Sequence, residues 1–130
     1  LVPHQRQFDD DQIRAIVARD GVIGVALDVW MLAPGWTHGV STNAGIGLTQ
    51  VVDHIDHICQ VAGDGGHVAI GSDLDGGFGR EQSPYDLDTI ADSQRLGGLL
   101  TRRGYSDHDV EAIMHGNWLR LLRRVWPEEV

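Results

Sequence analysis

Two short apolar runs, Val22-Ile23-Gly24-Val25-Ala26-Leu27 and His67-Val68-Ala69-Ile70-Gly71, constrain this chain more than any other feature. Both are continuous rather than alternating, and each is bounded by glycine or aspartate, which predicts short strands buried on both faces. Such strands belong to parallel sheets, and segments of helical periodicity stand on either side of them. The expected class is therefore α/β. Yet a parallel sheet of two strands leaves its edges uncovered, although 130 residues are enough for one compact core. The chain reads as part of a larger sheet or barrel. Its opening residues, Leu1-Val2-Pro3-His4-Gln5-Arg6, include no Met, no cap and no element start, and this agrees with the expectation of a processed or partial chain.

The helices are legible from spacing. Ile13, Ile16 and Val17 follow the acidic cluster Asp9-Asp10-Asp11, predicting a helix over 9–19 with Gly21 as its cap. Residues 29–47 hold Pro34-Gly35, Gly39, Gly45, Gly47 and two Trp without periodicity, and are expected to form a long loop. From Thr49 to Ala62, Val51, Val52, Ile55, Ile58, Cys59 and Ala62 repeat at helical spacing opposite Asp53, His54, Asp56 and His57, and Gly63 ends the helix. Ser83-Pro84-Tyr85-Asp86 predicts a capped helix start running to Arg103 before Gly104. Ser106 opens another helix to His115, and Gly116-Asn117 is expected to separate it from a last amphipathic piece, Trp118 to Val125.

A formal charge of -9, with all ten basic residues being scattered Arg, argues against a nucleic-acid or anionic-membrane partner. No apolar run approaches the ~20 residues that span a bilayer, and the opening residues do not resemble a secretory signal. Cys59 is the single cysteine, so no intramolecular disulfide or multi-thiolate zinc site is available; a small core residue in a cytoplasmic protein is the expectation.

The sharpest chemical signal is Gly71-Ser72-Asp73-Leu74-Asp75-Gly76-Gly77 at the exit of the second strand. Barrel enzymes place catalytic groups at the carboxyl ends of their strands, and glycine permits close approach of a ligand. The bland alternative is an acidic turn whose carboxylates bond nearby backbone amides. A calcium-loop reading fails because Gly77 and Gly79 stand where oxygen ligands are needed. His54 and His57, each preceded by Asp, lie three apart on a polar helix face, and a solvated face with charge pairs is preferred there to a metal site. Arg6, just before a helix, is on local grounds expected to be solvated or paired with nearby carboxylates, the alternative being that it holds a substrate carboxylate. Trp30 and Trp36 either wall a pocket or plug the core. No Gly-x-Ser-x-Gly, phosphate loop or Cys/His pairing supports a nucleophilic hydrolase or nucleotide site.

Three stretches resemble the later part of the membrane dipeptidase (renal dipeptidase) family of zinc metallodipeptidases. They are Arg6-Gln7-Phe8-x-Asp10-Asp11, Val52-Asp53-His54-Ile55-Asp56-His57-Ile58 with Ala62-Gly63, and Ile70-Gly71-Ser72-Asp73-Leu74-Asp75-Gly76. Gly116-Asn117-Trp118-Leu119-Arg120 is similar to the family's closing motif. The resemblance implies the C-terminal portion of a TIM-like (β/α) barrel, with residues 1–130 supplying its final two parallel strands and flanking helices. It also implies a binuclear zinc cofactor whose ligands all precede Leu1, so no residue of this chain inherits a ligand role. Arg6 matches the residue that holds the substrate's carboxylate, and Asp73 the acid that handles the proton of the leaving amine. The implied reaction is zinc-assisted hydrolysis of a dipeptide. The rival expectation is a non-catalytic truncated chain that folds by forming a homo-oligomer or by packing on a partner such as the rest of the barrel.

Overall fold

The computed structural model describes residues 1–126. Helix α1 spans Asp10–Val17 and starts on a reciprocal cap: Gln12 N–H donates to Asp9 Oδ1 at 2.8 Å while Gln12 Oε1 accepts the Asp9 N–H at 3.0 Å. Its end differs from expectation. Asp20, not Gly21, takes the left-handed turn (φ 55°), and Gly21 is needed because a Cβ there would stand 2.7 Å from Ile16 Cγ2. Strand β1, Ile23–Ala26, then pairs in parallel with β2, Val68–Ser72, in the register Ile23 to Val68, with a shift after Val25.

Helix α3, Leu48–Ala62, supplies the main covering layer. Its Val51, Val52, Ile55 and Ile58 are buried in one cluster with Val25 and Leu27 around β1, Val68 of β2, and Leu96, Leu100 and Ile113 from later helices. The expectation of strands covered on both faces holds in part. Ile23 and Val25 are buried on one face, and on the other Ala69 is fully buried while Gly24 and Gly71 are exposed. Backbone approaches backbone there, since a Cβ on Gly71 would lie 2.8 Å from the Gly24 carbonyl carbon. An exposed glycine pair of this kind is what the interior of a closed barrel covers with side chains from its other strands.

Two expected boundaries move. The loop expected over 29–47 opens with a helical turn, α2, Val29–Leu32, because the Asp28 carboxylate accepts the Trp30 N–H. The helix expected from Pro84 begins instead with a 3-10 turn at Ile90–Gln94, which leads into α4, Arg95–Arg103. Residues 83–86 have other partners: Ser83 Oγ donates to Gly79 O, and Asp86 Oδ1 accepts the Leu48 N–H at 2.9 Å, capping α3 from a distance. A sequence signature for a local cap is thus used for a tertiary one.

Helix α5, Asp107–Glu111, is capped by Ser106 as expected. No break follows at Gly116-Asn117. A π turn, Ala112–Gly116, carries the chain directly into α6, Asn117–Val125. The extra residue in that turn accompanies a buried Asn117, whose Nδ2 donates to Gly65 O at 2.7 Å and Val68 O at 2.8 Å.

Candidate active site

Parallel pairing brings the carboxyl ends of β1 and β2 to the same end of the sheet. After β1 the chain passes through Leu27, whose N–H donates to Ser72 O, to Asp28. Asp28 is 4% exposed, and Gln82 Nε2 donates to both of its oxygens at 3.0 and 2.9 Å. Burial pushes the Asp28 carboxyl above its ordinary range, with the hydrogen bonds from Gln82 and Trp30 pulling the other way and the nearby charge of Asp73 adding a smaller upward push. Gln82 completes a chain of three: its Oε1 lies 2.8 Å from His38 Nδ1. Neither Gln82 nor His38 carried a signal in the sequence. Asp28 did, as a carboxylate at the carboxyl end of a buried strand.

Asp73 stands just past β2. Ser72 and Asp73 both have positive φ (40° and 62°), and Asp73 N–H closes a three-residue γ-turn on Gly71 O at 2.7 Å. Two consecutive non-glycine residues in this region mark a strained turn held by its surroundings. Gly76 is required beside it, because a Cβ there would meet Asp73 Oδ1 at 2.6 Å and Asp73 O at 2.9 Å. The acidic-turn alternative does not describe what is found: among the described residues, neither Asp73 nor Asp75 accepts a backbone amide with its carboxylate. Asp73 is exposed, and the turn aims it without tying it down.

Arg6 lies over Trp30, its guanidinium carbon 5.3 Å from the ring centroid, while His4 meets the same indole edge-on at 4.9 Å. Arg6 is exposed, as one half of the bland expectation has it, and pairs with no carboxylate among the described residues, in contrast to Arg103 and Arg120, which bind carboxylates. Arg6 shares a recess with His4, Trp30, Trp36, His38 and Gln82, so both Trp rings wall a pocket. Asp73 does not line that recess. Arg6 and Asp73 occupy the same end of the sheet, with Gln82 and Asp28 linking the recess to the strand ends.

His54 and His57 do structural work at the flank of α3. His54 Nε2 lies 3.2 Å from Leu32 O, and His57 Nε2 lies 2.8 Å from Asp10 Oδ1. Their neighbours Asp53 and Asp56 bind Arg103 of α4. Charge pairing is therefore present, but between helices rather than along one.

Among the described residues no three His, Cys, Asp or Glu side chains are grouped to hold a metal ion. The buried carboxylate at this end, Asp28, is already engaged on both oxygens by Gln82. The described donors do not by themselves make up a metal centre.

A parallel βαβ pair with acidic residues at the carboxyl ends of its strands is the arrangement of part of a (β/α) barrel. The membrane dipeptidase family, peptidase family M19, matches residues 1–128. The chain belongs to that family. It is 34% identical over 129 residues to an uncharacterized protein in the pqqA 5′ region of Klebsiella pneumoniae, covering 98% of this chain and 44% of the relative. Dipeptidase aclJ of Aspergillus oryzae is 31% identical over 122 residues, covering 94% of this chain and 26% of the relative. The solved structure of dipeptidase AC, a metallopeptidase of family M19, superposes with a TM-score of 0.80 at 26% identity, covering 96% of this chain and 34% of that one. The chain thus spans less than half the length of these relatives.

Proposed function

We propose that residues 1–130 act as the C-terminal portion of a zinc-dependent dipeptidase barrel, with the zinc ligands on polypeptide outside this chain. The observation that carries the reading is the untethered Asp73 carboxylate, aimed by a strained turn at the carboxyl end of β2, in a chain of a dipeptidase family. Support for incompleteness comes from β1, whose residues Ile23 to Ala26 line a groove of mixed character with Phe8, Met31, Arg6 and His57. That groove is the natural seat of the preceding barrel strand.

Within the complete barrel, Arg6 binds the carboxylate of the dipeptide. Its planar fork suits a bidentate anion, and stacking on Trp30 restricts the guanidinium before substrate arrives. Asp73 takes a proton from the attacking water as the new C–O bond forms. It returns that proton to the nitrogen as the C–N bond breaks, so water is added across the peptide bond and the carboxylate is regenerated. Asp28 and Gln82 hold the β1 end of the site.

Purified complete protein supplied with zinc is expected to hydrolyse dipeptides, to lose activity on chelation and to regain it with zinc. Absence of turnover in the zinc-loaded protein would sink the reading. Turnover by the 130-residue chain alone would show that the remaining barrel is dispensable.

A further inference from the structure

The loop 33–47 brings one titratable side chain, His38, into the recess that holds Arg6. The ring is positioned from two sides. Its Nδ1 lies 2.8 Å from Gln82 Oε1, and its plane is tilted 59° to that of Trp36 with centroids 6.2 Å apart. Gln82 is itself buried and has no freedom to turn over, because its amide nitrogen faces both oxygens of Asp28. A carboxylate accepts only from the NH2 side of the amide, so the oxygen side must face His38. Nδ1 of His38 therefore carries the proton, and in the neutral ring Nε2 is left as an acceptor.

We propose that His38 is a specificity-determining substrate contact, accepting at Nε2 a hydrogen bond from the side chain of the peptide's carboxyl-terminal residue. The assignment rests on the dipeptidase reading, in which Arg6 holds that residue's carboxylate in the same recess. Gln82 is a positioning residue that acts through His38. The preferred substrate class is then a dipeptide whose last side chain bears an N–H or O–H donor.

The alternative role for His38 is a latch that keeps the loop down on the site. Threonine and valine have nearly the same shape and differ in the hydroxyl donor, so a pair of dipeptides ending in Thr or Val separates the two roles. In the complete protein, kcat/KM is expected to favour the Thr peptide by roughly three- to tenfold, the worth of one net hydrogen bond. His38→Phe should bring that ratio close to one, through KM on the Thr peptide. The ring is exposed, so phenylalanine is accommodated at the surface, while loss of the donor to the buried Gln82 Oε1 lowers Tm modestly; one cooperative unfolding transition above the assay temperature verifies the fold. Gln82→Leu should also lower the ratio, and adding it to His38→Phe should lower it no further. A Thr-to-Val ratio that is the same in wild type and His38→Phe overturns the proposal while leaving dipeptidase activity standing. Failure to hydrolyse either peptide overturns the dipeptidase reading instead.

Discussion

The two ends of the β1–β2 pair are built on opposite plans. At the amino end every prominent polar group is tied. Asn117 bonds Gly65 O and Val68 O, Trp118 Nε1 donates to Ile70 O at 3.0 Å, and His67 Nδ1 lies 2.9 Å from Gly21 O. Arg120 and Arg124 both bind Asp20, which fixes the left-handed turn before β1. His67 O accepts from Ile23 N–H, so the alternation of a parallel ladder turns the Val68 and Ile70 carbonyls to the far edge of β2. Two side chains from α6 close that edge. At the carboxyl end, by contrast, Asp73 is exposed on a strained turn and Arg6 rests on Trp30 with no carboxylate partner among the described residues. One end ties its polar groups into the fold; the other ties Asp28, Gln82 and His38 to one another but leaves Asp73 and Arg6 without such partners among the described residues, a division in keeping with a (β/α) barrel.

Substitutions at the two ends should therefore move different observables. Asp73→Asn is the strongest probe of the open end, because asparagine tolerates the same left-handed backbone and keeps the shape of the side chain. In the complete protein kcat is expected to fall ~10²–10⁴-fold, the usual worth of a positioned acid–base group, with Tm unchanged. Equal losses in Tm and activity would mean that Asp73 supports the fold. Arg6→Ala comes next, with KM for dipeptides rising roughly ten- to a hundredfold, the range of a charge-assisted hydrogen bond, and kcat changing far less.

The closed end should show the reverse. Asn117→Ala leaves the buried Val68 carbonyl and the half-buried Gly65 carbonyl without this donor and is expected to cost about 1–3 kcal/mol in denaturant unfolding, while KM of the folded enzyme stays put. A shift in KM without a shift in stability would erase the distinction between the ends. The smallest effect lies at the flank. Burial holds the His54 imidazole below its ordinary 6.5, so protonation favours the unfolded chain. The His54 contribution is fully present above pH 6.5 and fades as pH falls through the lower value of the folded state. Unfolding curves of wild type and His54→Gln should converge as the pH falls below 6.5, and parallel curves would exclude this titration.

Much of the fold was legible because its signals are local. The apolar spacing in Val51, Val52, Ile55 and Ile58 can be satisfied only by burying one helix face, and β-branched continuity at β1 and β2 fits a strand covered by helices. Gly63 and Gly104 take the left-handed helix ends that their positions suggest. The misses share a cause. Ser83 to Asp86 has the spelling of a helix start, yet Asp86 caps α3, and Gly116-Asn117 has the spelling of a break, yet Asn117 is drawn into the sheet edge. In both places a short polar side chain found a better partner far along the chain than beside itself.

The candidate site divides along the same line. Asp73 was legible because a carboxylate between a buried strand and a run of glycines has a position as well as a chemistry. Arg6 was legible only through family resemblance. Of the chain Asp28, Gln82 and His38, only Asp28 has a position that the sequence marks; Gln82 stands 54 residues from Asp28 and 44 from His38, and none of the three forms part of a periodic pattern. The sequence by itself determined where helices and strands form, because hydrophobic spacing and backbone preference act within a few residues. Only the tertiary structure decided which polar groups are spent and which are left over, because a hydrogen bond is a choice of partner, and that choice is made after the chain has folded back on itself.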